Sequence, residues 1–221
     1  MNPLGSDNAY YLDTGWVSSD STIELPNSSS IWIADKNTIG VNEPVKLTWT
    51  SDQNITFEKI ITLDENYLFS VDQRVINNSG LSFDLYPYGL SKRQGIPEMQ
   101  NFFILHEGPL SITDGVLEEY DYDDLKDDKK IKHSSVGGWI GMTDKYWQTA
   151  IIPNQNEPVQ QTYSYSFVDN IDNFQTDIVG ERIAVSNNAS ISHNFKIFAG
   201  PKIVNIIDKY MEEYGFDGFD R

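Results

Sequence analysis

No cysteine occurs in the 221 residues. Disulfide bridges and thiol chemistry are therefore excluded, and a secreted scaffold held by disulfides is disfavoured. Basic residues are scarce: 16 Lys and Arg stand against 33 Asp and Glu, a formal net charge of −17. A surface of that sign cannot neutralise a phosphate backbone, which argues against a nucleic-acid partner and against broad adsorption to anionic lipid. Long hydrophobic runs are missing as well. Nothing approaches the roughly 18 apolar residues of a membrane-spanning helix, and no signal-peptide pattern opens the chain. The chemical motifs GxGxxG, GxxxxGKS, GxxxxGKT, GxSxG and HExxH do not occur. Three histidines, His106, His133 and His193, make a weak zinc case without cysteine. His106 and Glu107 are neighbours that a strand would point to opposite faces, so His106 reads as a turn residue held by hydrogen bonds. His193 alternates with Phe195 and Ile197 and reads as a partly buried strand histidine. Asp121, Asp123, Asp124, Asp127 and Asp128 lack the glycine and terminal glutamate of a calcium loop. Residues 119–130 are thus expected to be a solvated acidic loop or edge strand. The sequence predicts no catalytic centre, no metal and no cofactor.

What is present is material for a core: 11 Phe, 12 Tyr and 5 Trp. Residues 7–44 read as loop-rich. From Pro44 strand signals become regular. Val45, Leu47 and Trp49 alternate with Lys46 and Thr48, Phe57 shares a parity with Ile61 and Leu63, and Tyr67, Phe69, Val71 and Val75 follow after a turn at 64–66. A second turn at Asn77–Gly80 leads to Leu81, Phe83 and Leu85, so two successive hairpins predict an antiparallel meander. Pro87, Gly89, Gly95 and Pro97 predict an interruption of the sheet. Phe102 to Leu105 is a short apolar run, short strands flank Asp114-Gly115, and later strands are expected over 162–168, 174–179, 182–186 and 191–198. No linker divides the chain, so one domain is predicted over 7–221, with residues 1–6 (MNPLGS) reading as a cloning remnant. The best-defined element is a helix over about 201–214. Ile203, Ile206, Ile207, Tyr210, Met211 and Tyr214 form one apolar stripe, expected to dock on the sheet. Pro201 suits its first turn and Gly215 its end. This order suggests a β domain handed over by a terminal helix to a further part of a longer protein.

One segment fits no ordinary amphipathic strand. Residues 137–153 (GGWIGMTDKYWQTAIIP) open on Gly137-Gly138 and carry Trp139, Asp144, Tyr146 and Trp147 before closing at Pro153. The glycines permit positive φ or close backbone approach, and the aromatics suit a core or the lining of a cleft. This run resembles a marked segment of the periplasmic domain of the bacterial YidC-type membrane protein insertases, Gram-negative branch. Other pieces follow in the expected order: residues 13–17 (DTGWV), the strands at 57–63 and 67–77, residues 85–89 (LYPYG), and 105–110 (LHEGPL), which resemble alphaproteobacterial members. Residues 115–117, 122–125, 198–202 (FAGPK) and 219–221 continue the series. The resemblance implies a β-supersandwich of two twisted antiparallel sheets, similar to galactose mutarotases, with the terminal helix packed against it. It also implies a non-catalytic role. The domain would sit in the periplasm as part of an inner-membrane protein, touching accessory subunits of the Sec translocon and nascent membrane protein segments. A carbohydrate- or polymer-binding sandwich, with Trp139, Tyr146 and Trp147 stacking on a ligand, is the alternative.

Overall fold

The computed structural model describes residues 1–97 and 106–220, so the apolar run at 102–105 lies outside the described residues. Among the described residues, fifteen strands and two helices follow one another. They are β1 (Tyr10–Val17), β2 (Ile33–Ala34), β3 (Val45–Thr50), β4 (Ile55–Leu63), β5 (Leu68–Asn77), β6 (Phe83–Gln94), β7 (Gly108–Thr113) and β8 (Val116–Glu119). Then come α1 (Tyr122–Asp128), β9 (Lys130–Val136), β10 (Trp139–Thr143), β11 (Trp147–Ile152), β12 (Pro158–Val168), β13 (Ile171–Gly180), β14 (Ile183–Val185), β15 (Ser190–Pro201) and α2 (Val204–Tyr214). A nine-stranded sheet runs β2-β3-β4-β5-β15-β11-β10-β7-β8. A six-stranded sheet runs β1-β6-β13-β12-β9, with β14 also on β6. Every named strand pair is antiparallel. The two sheets face each other, as the expected supersandwich requires.

Alternation explains the interior. Ile140, Met142, Ile151 and Phe195 of the large sheet meet Tyr163, Phe174 and Ile178 of the small one, and Tyr122 and Leu125 close this core from α1. A second cluster joins Trp16, Phe83, Leu85 and Val185 to Ile55, Phe57 and Val75. A third lies on the outer face of the large sheet, under α2.

Four expectations are corrected. The loop-rich start contains an eight-residue strand, β1, whose Asp13 and Gly15 are poor strand formers; its pairing along β6 from Tyr10↔Arg93 to Val17↔Tyr86 overrides that preference. β6 is also not interrupted at Pro87. The ladder on its far side passes from Val179↔Tyr88 to Ile183↔Leu85, so Pro87 falls in the gap where a strand tolerates a missing donor. The turn at 77–80 is no hairpin: β5 lies in the large sheet and β6 in the small one. The fully buried Asn77 fixes that crossing, donating to the Leu81 carbonyl at 2.7 Å and the Ser186 carbonyl at 3.1 Å. Finally, residues 119–130 are not a featureless acidic face. The Asp124 side chain takes the Asp121 N–H at 3.2 Å and helps nucleate α1, which buries Tyr122 and Leu125. Its seven residues were too few to show a helical period.

Candidate functional site

The unusual segment owes its composition to burial on both faces. β10 and β11 lie inside the large sheet, with the sandwich core on one side and α2 on the other. Trp139 to Thr143 are therefore buried throughout, as are Gln148 to Ile152. Alternation of polar and apolar residues has no place there. Ile140, Met142 and Ile151 point into the sandwich, whereas Trp139, Ala150 and Ile152 join Phe198 on the outer face.

Gly137 and Gly138 turn the chain from β9 into β10 at φ 66° and 73°. A Cβ on Gly138 would stand 2.1 Å from the Ile112 carbonyl oxygen. Gln155 clamps this turn. It accepts the Gly138 N–H at 3.0 Å and donates Nε2 to the Gly138 carbonyl at 3.0 Å and the Pro153 carbonyl at 2.9 Å. Pro153, itself buried, ends β11 just before that clamp. Nothing in the sequence around Gln155 marks it for this role.

Trp139 anchors the tail beyond α2. Its indole N–H donates to the Asp217 carbonyl at 3.0 Å, and its ring meets Phe219 edge-on with centroids 5.4 Å apart. Phe219 also lies edge-on to Phe198 at 5.2 Å, and Phe216 stacks near Tyr214 at 5.3 Å. Phe216 and Phe219 are both buried. Two phenylalanines three apart beyond the helix stop were the available signal for this docked tail, and sequence reading did not use it. The helix docks through Ile207 and Tyr210, both buried, with Ile206, Met211 and Tyr214 partly buried beside them. The Tyr210 hydroxyl also donates to Asp64 and to the Asn66 carbonyl, tying the helix to the β4–β5 turn.

Two helix expectations change. α2 begins at Val204, because Pro201 still pairs with Trp147 and the Lys202 N–H reaches the Tyr146 carbonyl at 2.9 Å. Ile203 is therefore the N-cap and 44% exposed, outside the docking face. Gly215 stops the helix as expected, at φ 69°.

The remaining segment residues do not converge. Asp144 lies after β10, where Arg93 Nη1 donates to it at 2.5 Å; the same guanidinium sits 4.7 Å over the Tyr10 ring. Burial drives the Tyr10 hydroxyl pKa well above its usual value. Trp147 packs half-buried on the sandwich core, and Tyr146 stands 71% exposed at the β10–β11 turn. Trp139, Tyr146 and Trp147 thus occupy three different surroundings and form no shared stacking platform. Among the described residues no group of three metal-ligating side chains gathers, and no helix is long and apolar enough to cross a membrane.

His106 holds its turn, with Nε2 3.1 Å from the Pro109 carbonyl. His193 lies on the inner face of β15, its Nε2 3.1 Å from Glu157 Oε2. Burial lowers its pKa below the ordinary 6.5 even though Glu157 pulls the other way. The unfolded chain thus takes up that proton more readily than the folded one. The stability His193 contributes is present above its unfolded pKa and is lost as pH falls through the folded value. Urea midpoints should therefore fall as pH drops below about 6.5, and His193→Gln should flatten that slope. An unchanged slope in the variant would assign the pH dependence to other groups.

Comparison with known proteins agrees with this architecture. A family model described as the YidC periplasmic domain matches residues 1–220. Proteins named membrane protein insertase YidC from Rickettsia canadensis and Pelagibacter ubique are 38% and 37% identical over the whole chain. The chain spans 40% and 39% of their lengths. Among solved structures, a galactose mutarotase related enzyme from Lactobacillus acidophilus superposes with a TM-score of 0.55 at 11% identity, covering 76% of this chain and 70% of that one. A galactose mutarotase-like protein from Lactobacillus casei gives 0.52 at 11%, covering 76% and 72%. At such identity these two report the fold alone. The match along the full length, at more than a third of positions, places this chain in the YidC periplasmic domain family.

Proposed function

We propose that this chain is a non-catalytic periplasmic domain of an inner-membrane protein insertase. In this reading it supports insertion and folding of membrane proteins through partner contacts and by positioning the membrane-embedded part of the same protein. The observation that carries the proposal is the family match over residues 1–220 in a chain spanning about 40% of its relatives' length. The seating of α2 and residues 216–219 on the large sheet supports the positioning role, since a docked tail fixes where the chain leaves the sandwich. The partners proposed are accessory subunits of the Sec translocon and nascent membrane protein segments.

The test is complementation of an insertase-depleted strain by the full-length protein, at matched expression. Ile207→Ala removes a buried contact of the helix and should cost about 2–5 kcal/mol. It should slow growth and insertion. Replacing the exposed Asp123 and Asp127 with serine leaves the buried Tyr122 and Leu125 of α1 in place and should be tolerated. Photocrosslinkers on the exposed face of α1 and near Tyr146 would report partner contacts. If the serine variant fails while Ile207→Ala grows normally, the acidic face and not the helix carries the function.

A further inference from the structure

Part of the large sheet's inner face is apolar and yet lies outside the packed core. Val45 pairs with Ile61, Ile61 with Val71, and Val71 with Phe195 of the sandwich interior. Phe69 pairs with Ile197 in the next row, and Leu47 with Lys59 on the other side. Of these apolar residues only Phe195 belongs to any of the three core clusters. Leu47, Ile61 and Phe69 remain half-buried. The small sheet ends at β1, and between β1, this strip and the loop after β2 lies a cavity of about 840 Å³. That volume falls among small-molecule sites, about 300–1,000 Å³. Contiguous apolar surface left open in this way marks a ligand groove.

The cavity is unsuited to ligands rich in hydrogen-bonding groups. β3, β4, β5 and β15 are each bonded to a strand on both sides, so the floor offers no backbone partner. The free edge of β1 is closed. Asn2 exchanges both backbone hydrogen bonds with Tyr10 (3.0 and 2.9 Å), Asp13 takes the Thr14 N–H at 2.8 Å, and Lys59 donates to the Thr14 carbonyl. A peptide backbone or a polyhydroxylated ring would lose water here without gaining partners. Three interstrand steps of about 4.8 Å make the strip about 14 Å wide from β3 to β15. An extended alkyl chain advances about 1.25 Å per carbon, from C–C bonds of about 1.5 Å, and crosses it with about eleven carbons. The charged side chains of the lining are Asp13, Lys36 and Lys59. Asp13 and Lys59 pair at 3.3 Å, whereas Lys36, exposed on the loop after β2, meets no carboxylate among the described residues. Two lysines against one aspartate make this lining net positive in a chain of −17, which suits an anionic head.

We propose that this cavity binds a single-chain amphiphile with an anionic head. The alkyl chain lies across Leu47, Ile61, Val71 and Phe69, and the head sits at Lys36. The site is separate from Trp139, Tyr146 and Trp147, and its existence does not depend on the insertase reading.

The test is methyl nuclear magnetic resonance on the whole 221-residue chain. Probes are octanoate, decanoate and dodecanoate, each below its critical micelle concentration. The Leu47, Ile61 and Val71 methyl signals should move together, saturably. Affinity should rise about tenfold for each two carbons added, the transfer of two methylenes out of water. Ala199 is half-buried in the same lining, so Ala199→Leu fills the space. It should weaken dodecanoate binding about tenfold or more at a melting temperature near the parent's. Lys36→Glu, on the exposed loop, should weaken carboxylate binding about threefold or more, and it serves as the test should Ala199→Leu fail to fold. Dodecyltrimethylammonium has the same chain with the opposite charge and should bind more weakly than dodecanoate. A lysophosphatidylglycerol of the same chain length should bind too, and whichever of it and dodecanoate binds more tightly identifies a lipid or a free acid as the source. No saturable shift, no gain with chain length, or equal binding by dodecyltrimethylammonium would overturn the proposal. So would tighter binding at the same methyl groups by an apolar dipeptide, acetyl-Leu-Leu-amide.

Discussion

Replacing Trp139 with alanine is expected to lower stability by about 3–5 kcal/mol, the usual cost of removing a large buried aromatic. The indole is fully buried, meets Phe219 edge-on and supplies the N–H that holds the Asp217 carbonyl. Its loss leaves a cavity on the outer face of β10 and frees the tail from its anchor. Urea unfolding measures the first effect, and limited proteolysis at 216–219 the second. Trp139→Phe separates the contributions: it keeps a ring but not the donor, and should recover most of the stability while leaving the tail looser. An alanine variant as stable as the parent, with its tail still protected, would show that α2 alone seats residues 216–219.

A larger loss is expected from a smaller change. The Cβ of Gly141→Ala would stand 1.8 Å from the Thr149 carbonyl oxygen and 2.9 Å from the Ala150 Cα. Those are backbone atoms of the neighbouring strand, held in place by the Gly141↔Ala150 pairing and by cores on both faces. Neither side can give way without parting β10 from β11. The substitution should cost more than about 4 kcal/mol, in the range reserved for disrupted cores. Gly115→Ala serves as the control. Its Cβ meets open space and the cost is that of a left-handed residue, φ 80°, about 1–2 kcal/mol. Thermal melts of the two variants decide the matter. Near-equal melting temperatures would mean that the sheet can open at Gly141 and that the close approach is not obligatory.

Strands β3, β4, β5 and β15 were legible because a strand with one buried face alternates, and alternation survives in the sequence. The end of α2 was legible for the same kind of reason, as a 3.6-residue stripe closed by a glycine. Its start was not, because Pro201 suits a first helical turn as well as a strand terminus. Which sheet a strand joins is set by distant partners, so the crossing at Asn77 looked like a hairpin. β6 was obscured by Pro87 and Gly89, residues whose local preference gives way to ladders on both sides. Residues 137–153 were recognised as unusual, but the reason lay in burial on both faces, which depends on α2 returning to cover β10 and β11. Gln73 shares the parity of Val71 and Val75, so the alternation that marks β5 already turns it inward between the outward Asp72 and Arg74; its neighbours Lys59 and His193 are set by sheet pairing and were not legible.

The seating of the tail also sets how the sandwich would bear a mechanical load. Phe216 and Phe219 rest on Trp139 of β10 and Phe198 of β15, interior strands of the nine-stranded sheet. A pull transmitted through residue 219 first meets a buried aromatic plug and then strands hydrogen-bonded on both sides. Unzipping β2 or β8, the edge strands, is not on that path. Force arriving from beyond residue 219 would thus be borne in shear by the stiffest part of the fold. Under such a load the domain would move as a rigid body and would not fray from one edge.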